Sequence, residues 1–186
     1  GGIAGGVMGR DAQRVTCLHH PDSDVLDAEM ARAMAPLEKR PGNLSVLRTH
    51  LLDVMWDDVG VMRDADGLQR GLKRIDEIDA ELSETGVAPD NLAFNLSWHD
   101  WLNLRSLVDM SKVIANAALS RENSRGAHFR EDFPDTGAMA DSYFTLATAS
   151  DKAISVTRAP VQFTIVKPGE TLLGEDEAET LVEVAQ

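Results

Sequence analysis

The sequence predicts a mainly α fold, an antiparallel three-helix bundle followed by a short β-ribbon tail. Three observations predict it. Apolar residues recur at helical spacing in three long segments between residues 43 and 120. The breaks between those segments are short, centred on Asp66-Gly67 and on Pro89-Asp90-Asn91. After Pro134 the pattern turns to alternating runs rich in Val, Ile, Thr, Tyr and Phe. Amphipathic helices joined by short loops bury their apolar stripes most economically as antiparallel neighbours.

Taken in order, the chain opens on Gly1-Gly2-Ile3-Ala4-Gly5-Gly6-Val7-Met8-Gly9-Arg10. Small residues at this density permit close backbone approach, but the G-x-G-x-x-G order of a phosphate turn is missing. Asp11 to Gly42 reads as a connection: His19-His20-Pro21-Asp22 is a turn, Val25 to Met34 a short amphipathic stretch, and Pro36 and Pro41 break regularity. His19 and His20 have no partners at ligand spacing, so a surface turn is expected there and no metal site.

Asn43 or Ser45 can cap the first bundle helix, whose stripe is Leu47, Leu51, Val54, Met55, Val59 and Met62, about five turns. Trp56 reads as the flank of the core, which is favoured, or as a contact to a neighbouring domain, and His50 as a partly buried or surface histidine. The second helix carries Leu68, Leu72, Ile75, Asp79 and Leu82 on one stripe and ends at Thr85-Gly86; no chemistry attaches to Asp79. The third, about 28 residues long, carries Leu92, Leu96, Trp101, Leu104, Leu107, Val108, Met110, Ile114, Ala118 and Leu119. Trp98 and Trp101 are expected to fill core and inter-helix contacts rather than form a ligand platform with His99. Ala115, Ala117 and Ala118 leave little bulk, so the end of this helix can press close against another domain.

Beyond Pro134, Tyr143 to Thr148, Ile154 to Thr157 and Val161 to Val166 each suggest a strand, closed by Lys167-Pro168-Gly169. Glu170 to Gln186 holds six carboxylates and no basic residue, either a short helix or a frayed tail.

At 186 residues the chain can bury one good core, and 43% apolar with 26% charged residues is a globular composition. A net charge of −13 argues against nucleic acid as a partner and against binding an anionic membrane by charge. Cys17 is the only cysteine, which excludes an intrachain disulfide framework. No apolar run approaches the ~20 residues that span a bilayer, so direct membrane insertion is not expected, and a cytoplasmic protein is the default.

The chemistry is densest at Ser120 to Pro134, where three arginines, one histidine and three carboxylates share fifteen positions. The stretch reads as the last turn of the third helix leaving through Gly126, which tolerates the left-handed conformation of a helix exit. Arg121, Arg125 and Arg130 offer permanently charged forks, with Glu122, Glu131 and Asp132 able to hold them. On residue types alone, a salt-bridge knot at a helix end and a functional edge both stay open.

Ser124-Arg125-Gly126-Ala127-His128 followed by Arg130-Glu131-Asp132-Phe133-Pro134, preceded by Ala117-Ala118-Leu119-Ser120-Arg121, resembles the signature of the succinate dehydrogenase, fumarate reductase and L-aspartate oxidase flavoproteins. The resemblance runs from Gly1 to about Pro134 and is weak beyond; Ser142-Tyr143-Phe144 and Leu146-Ala147-Thr148 stand where the family commonly has a tryptophan and a histidine. It implies three parts: residues 1–42 as the end of an FAD-binding domain, including a remnant helix, with a linker; 43–135 as the C-terminal bundle; 136–186 as ribbon and acidic tail. It also implies a flavin that exchanges hydride with a small dicarboxylate, or with an amino acid in the aspartate oxidase branch. The FAD would be bound mainly by a domain preceding Gly1, and an iron-sulfur subunit is an expected partner, with peripheral attachment to the inner membrane through partner subunits. The family's proton-transferring arginine and substrate histidines belong to its other domains, so no catalytic residue and no activity is expected from these residues alone. Arg121, Ser124, Arg125, Gly126, His128 and Arg130 are the candidates for docking the bundle against the flavin domain. A rival reading is a stand-alone helical module whose arginine-rich knot binds a partner.

Overall fold

Five helices and two small sheets make up the computed structural model, which describes residues 1–15, 20–89, 91–150 and 153–171. Cys17, His19 and most of the acidic tail lie outside the described residues. Helices α1 (Gly2–Arg14) and α2 (Ser23–Met34) expose almost every side chain; α2 is capped by Asp22, whose Oδ1 accepts from Asp24 N. A 3-10 turn, Ala35–Glu38, then leads the chain across the end of the bundle. There Gly86 N donates to Arg40 O and Val87 N to Pro36 O, both at 2.9 Å. Glycine is required at position 86, because a Cβ would overlap the Lys39 carbonyl.

The three central helices follow the expected logic with shifted ends. Helix α3 (Leu44–Asp57) starts where Asn43 Oδ1 accepts from Val46 N, and its Leu47, Leu51 and Val54 are at most 2% exposed. It stops at Asp57, a turn earlier than the apolar stripe suggests. Val59 still reaches the core, but Met62 leaves it for a two-residue strand and is 64% exposed. Trp56 is 79% exposed, so it does not flank the core as expected; the stripe turns away from it. Strand β1 (Met62–Arg63) follows, then α4 (Ala65–Glu84), capped by Asp64 Oδ1 on Gly67 N at 2.6 Å. Leu68, Ile75, Ile78 and Leu82 form its buried stripe, and Gly71 lets the end of α3 approach: a Cβ there would stand 3.0 Å from Asp58 Cβ and Val59 Cγ2.

Helix α5 (Leu96–Ser120) begins at an Asn95 cap, not at Leu92, and is 25 residues long. Its buried positions, Trp101, Leu104, Val108, Ser111, Ala115 and Ala118, alternate steps of three and four, the seam of closely aligned antiparallel helices. That seam corrects the predicted core: Leu107, Met110 and Ile114 point outward at 42% to 54% exposure, and Leu92 and Leu96 are exposed too. A helix with apolar residues on two faces cannot reveal from spacing alone which face its neighbours cover. The tryptophans do fill inter-helix contacts: Trp101 Nε1 donates to Thr85 O at 2.8 Å, and Trp98 Nε1 to Ala33 O at 2.7 Å.

After α5 the chain forms strand β2 (Phe129–Arg130), which pairs parallel with β1 through Met62↔Phe129 and Arg63↔Arg130. The tail is a hairpin of β3 (Tyr143–Ser150) and β4 (Ala153–Pro160), antiparallel from Tyr143↔Pro160 to Ser150↔Ala153, and it lies against α5. The expected third strand over 161–166 is not formed. The ladder's partner runs out at Tyr143, and only Val161 N continues it, to Ser142 O at 2.9 Å. No described helix is long and apolar enough to cross a membrane.

Candidate functional site

The stretch from Ser120 to Pro134 does not leave the helix through Gly126. Helix α5 ends at Ser120 with Arg121 in extended conformation, and Gly126 (φ +58°) sits instead at the tip of a tight turn. That turn is closed by Arg125 N to His128 O at 2.8 Å and His128 N to Arg125 O at 3.1 Å. Positive φ explains the glycine, and its open surroundings leave the tip facing solvent.

Arg130 is the centre of the knot and 1% exposed. Its Nη1 donates to the carbonyls of Ala118 (2.9 Å), Leu119 (3.0 Å) and Arg121 (3.3 Å), and Nε and Nη2 grip Asp132 at 2.7 Å each. A helix ends with unsatisfied carbonyls, so one guanidinium here closes the last turn of α5 and neutralises its own charge on Asp132. The fork holds the Asp132 carboxyl down at about 2, and Ala65 N at 3.0 Å adds to this while tying the knot to the start of α4. Ser124 is 6% exposed and works as a bracket: its Oγ accepts from Arg130 N at 2.9 Å and donates to Phe133 O at 2.8 Å.

The other forks are occupied differently. Arg125 donates to Thr136 O (2.5 Å), Ala138 O (2.7 Å) and Ser142 Oγ (2.8 Å), binding the loop that leads to β3. Arg121 meets Asn123 Oδ1 at 3.1 Å and stacks 5.3 Å from the centre of the Tyr143 ring. Arg158 of β4 lies 4.7 Å from that ring and donates to Ser120 O at 2.7 Å, so the hairpin is fastened to the end of α5. His128 Nδ1 lies 2.9 Å from Arg63 Nη1 and its Nε2 lies 3.2 Å from Arg121 O. A guanidinium can only donate and a carbonyl only accept, so the imidazole is neutral with its proton on Nε2. Burial first, then the charges of Arg63, Arg121 and Arg130, hold His128 below its ordinary value, against the opposing bond to Arg121 O.

All six predicted site residues, Arg121, Ser124, Arg125, Gly126, His128 and Arg130, therefore meet at one end of the bundle. Sequence reasoning missed three more: Arg63, Tyr143 and Arg158. Arg63 comes from β1, 65 residues before its imidazole partner, and nothing local announces a parallel pairing so short. Asp79, to which no chemistry was attached, holds Arg105 and Lys112 of α5.

The described residues do not by themselves fit a flavin. The guanidinia of the knot face backbone carbonyls, Asp132 or the Tyr143 ring, and the glycines of α1 border open space: a Cβ at Gly2, Gly5 or Gly9 would meet nothing. Between α4, α5 and the hairpin lies a cleft of about 610 Å³ lined by Leu72, Asp76, Asp79, Lys112 and Ile154 among others; its acidic rim suits no anionic dinucleotide.

The family described as fumarate reductase flavoprotein C-term matches residues 48–172, about two thirds of the chain, and so runs past Pro134 through the hairpin. An uncharacterized FAD-dependent oxidoreductase of Methanocaldococcus jannaschii is 34% identical over 140 residues, 72% of this chain and 24% of that protein. The fumarate reductase flavoprotein subunit of Haemophilus influenzae is 29% identical over 171 residues, 89% of this chain and 28% of its own length. In structure, Sdh1 of Mycobacterium smegmatis, solved with UQ1, superposes with a TM-score of 0.70 at 24% identity, covering 84% of this chain and 27% of that one. The chain thus spans about a quarter of the length of the relatives it matches. With the helical bundle, the arginine-closed end of α5 and the match over 48–172 in agreement, the chain belongs to the fumarate reductase flavoprotein C-terminal family.

Proposed function

We propose that this chain is the C-terminal helical region of an FAD-dependent oxidoreductase that interconverts a small dicarboxylate of the succinate and fumarate type. The observation that carries the reading is the family match over 48–172, which includes the knot of half-buried Arg125 and His128 just beyond the end of α5. In such an enzyme the flavin supplies the hydride chemistry; the residues described here hold no reacting atom and support no step of it. Their part is mechanical and electrostatic. Arg130 and Ser124 fix the end of α5, Gly126 shapes the turn, and Arg121, Arg125 and His128 face the rest of the flavoprotein as docking residues. Residues 1–42 are the end of the FAD-binding domain with its linker, 43–135 the bundle, and 136–186 the ribbon and tail. An iron-sulfur subunit accepts the electrons, and any membrane attachment is peripheral, through partner subunits.

The test uses the protein expressed from its full reading frame. Its absorption spectrum is recorded, and it is titrated anaerobically with succinate, with reduced dye plus fumarate, and with L-aspartate. A flavin band bleached by succinate, or dye consumed on adding fumarate, is the expected result. Bleaching by L-aspartate alone moves the protein to the aspartate oxidase branch. A colourless, folded protein overturns the flavoprotein reading and leaves a helical interaction module.

A further inference from the structure

Five arginines, Arg63, Arg121, Arg125, Arg130 and Arg158, gather at this end of a chain of net charge −13. Of these, Arg130 is neutralised by Asp132, and Arg158 has Glu122 only at 3.9 Å. Arg63, Arg121 and Arg125 pair with no carboxylate among the described residues. Arg63 is the odd one. It is half-buried, burial disfavours its charged form, and the group it touches is a neutral imidazole. Its Nε is used on Val59 O at 2.9 Å and one Nη1 hydrogen on His128, which leaves the end of the fork, Nη1 and Nη2, with donors to spare. That end-on pair of N–H groups matches the two oxygens of a carboxylate.

We propose that Arg63, backed by His128, is a receptor for one carboxylate side chain from the flavin-binding part of the same polypeptide. The proposal rests on the flavoprotein reading and names one contact of the docking it requires. Three observations select this occupant. A singly charged fork beside a neutral imidazole is neutralised by one carboxylate, and a charge buried further on docking is tolerated only when paired. The other face of the β1–β2 ladder is apolar and open, with Met62 64% and Phe129 37% exposed beside Val61 at 71%, the mix of arginine and apolar anchors typical of interface centres. And relatives are about three times as long as this chain, so most of such a polypeptide is available to cover this end. His128 fixes the fork by accepting through Nδ1, and protonation there would remove the acceptor and set two cations side by side.

The experiment is zero-length carbodiimide coupling in the full-length protein carrying Arg63→Lys, followed by peptide mapping. A carbodiimide joins an amine to a carboxylate only at ion-pair distance, and Lys112, 2.6 Å from both Asp76 and Asp79, is the built-in positive control. Coupling of position 63 to an Asp or Glu outside residues 1–186 of the same chain, at a yield similar to the control, is the expected result. If the preparation carries flavin and the control couples, then no coupling at 63, coupling within residues 1–186, or coupling to a separate polypeptide overturns the receptor while leaving the flavoprotein reading intact. A colourless preparation sinks that reading instead. Should the variant not fold, the unmutated full-length protein is labelled with phenylglyoxal: Arg63 modified much more slowly than Arg40, which is exposed and has no carboxylate partner among the described residues, supports the pairing, and equal rates overturn it.

Discussion

Between α4 and α5, Arg105 and Lys112 each face acids. Arg105 meets Asp79 and, at 2.5 Å, Asp109; Lys112 meets Asp76 and Asp79; and at the end of α3, Asp58, 5% exposed, receives Arg70 at 3.0 Å and Arg74 at 2.8 Å. At the end of α5 the same residue type faces carbonyls, a ring and an imidazole, and only Arg130 holds a close carboxylate. The balanced networks set which helix lies against which, and their worth is confined to the bundle. The second network spends its donors on backbone that has just left regular structure. Residue content does not distinguish the two; what differs is whether the partner is a charge or a carbonyl.

The sharpest way to break this contrast is Arg130→Met, which keeps the bulk and removes the fork. Three carbonyls at the end of α5 and the Asp132 carboxylate lose their donor together, an expected cost of about 3 kcal/mol in urea unfolding. Arg130→Lys recovers little of it, because one ammonium cannot reach three carbonyls and a bidentate carboxylate at once. Asp79→Ala in the balanced network is expected to cost less, about 1–2 kcal/mol: Arg105 keeps Asp109, Lys112 keeps Asp76, and the site is partly solvated.

How much of this the chain announces depends on the range over which each signal acts. The α4 stripe of Leu68, Ile75 and Leu82 and the Asn43 cap are local, and spacing or residue type reveals them, whereas the Asn95 cap is masked by the equally plausible start at Pro89-Asp90-Asn91. The β1–β2 pair joins residues 67 apart in a ladder two residues long, too short to leave an alternating pattern, and Arg63 is hidden with it. Gly126 is legible as a residue needing positive φ, but a helix exit and a tight turn demand the same freedom, and only the Arg125–His128 bonds decide. The identities at Ser120–Pro134 mark the candidate site; which fork is free and which is used depends on where the chain returns from.

A smaller effect separates the regions by pH. His128 sits below its ordinary 6.5 because of burial and three neighbouring arginines, so the unfolded chain binds its proton more readily than the folded one. Its contribution is complete above 6.5 and is lost as pH falls through the lower folded value. Asp132, lowered from 3.8 to about 2, contributes fully above 3.8 and fades between those limits. Urea midpoints followed downward from about pH 8 should therefore fall in two stages, and His128→Gln should remove the upper stage alone.

The smallest expected effect is that of Trp56→Ala, and Trp101, 45 residues further along the chain, is its buried reference. Trp101 is 5% exposed, packed in the seam of α5, with its Nε1 on Thr85 O and Leu82 O; replacing it by alanine leaves a cavity and two carbonyls short of a donor, about 3–5 kcal/mol. Trp56, at 79% exposure on the last turn of α3, touches too little to matter to the bundle, and Trp56→Ala should shift stability by less than about 0.5 kcal/mol. The same substitution in the full-length flavoprotein carries the information. Trp56 precedes the Gly60 turn that delivers Val61, Met62 and Arg63 to the open end of the bundle. If that end is covered, Trp56→Ala destabilises the full-length protein by more than it does this chain, and the difference measures burial that the bundle alone does not provide. Equal small effects in both proteins would mean that the indole stays in water, which confines the docking face to the arginine side of the β1–β2 ladder.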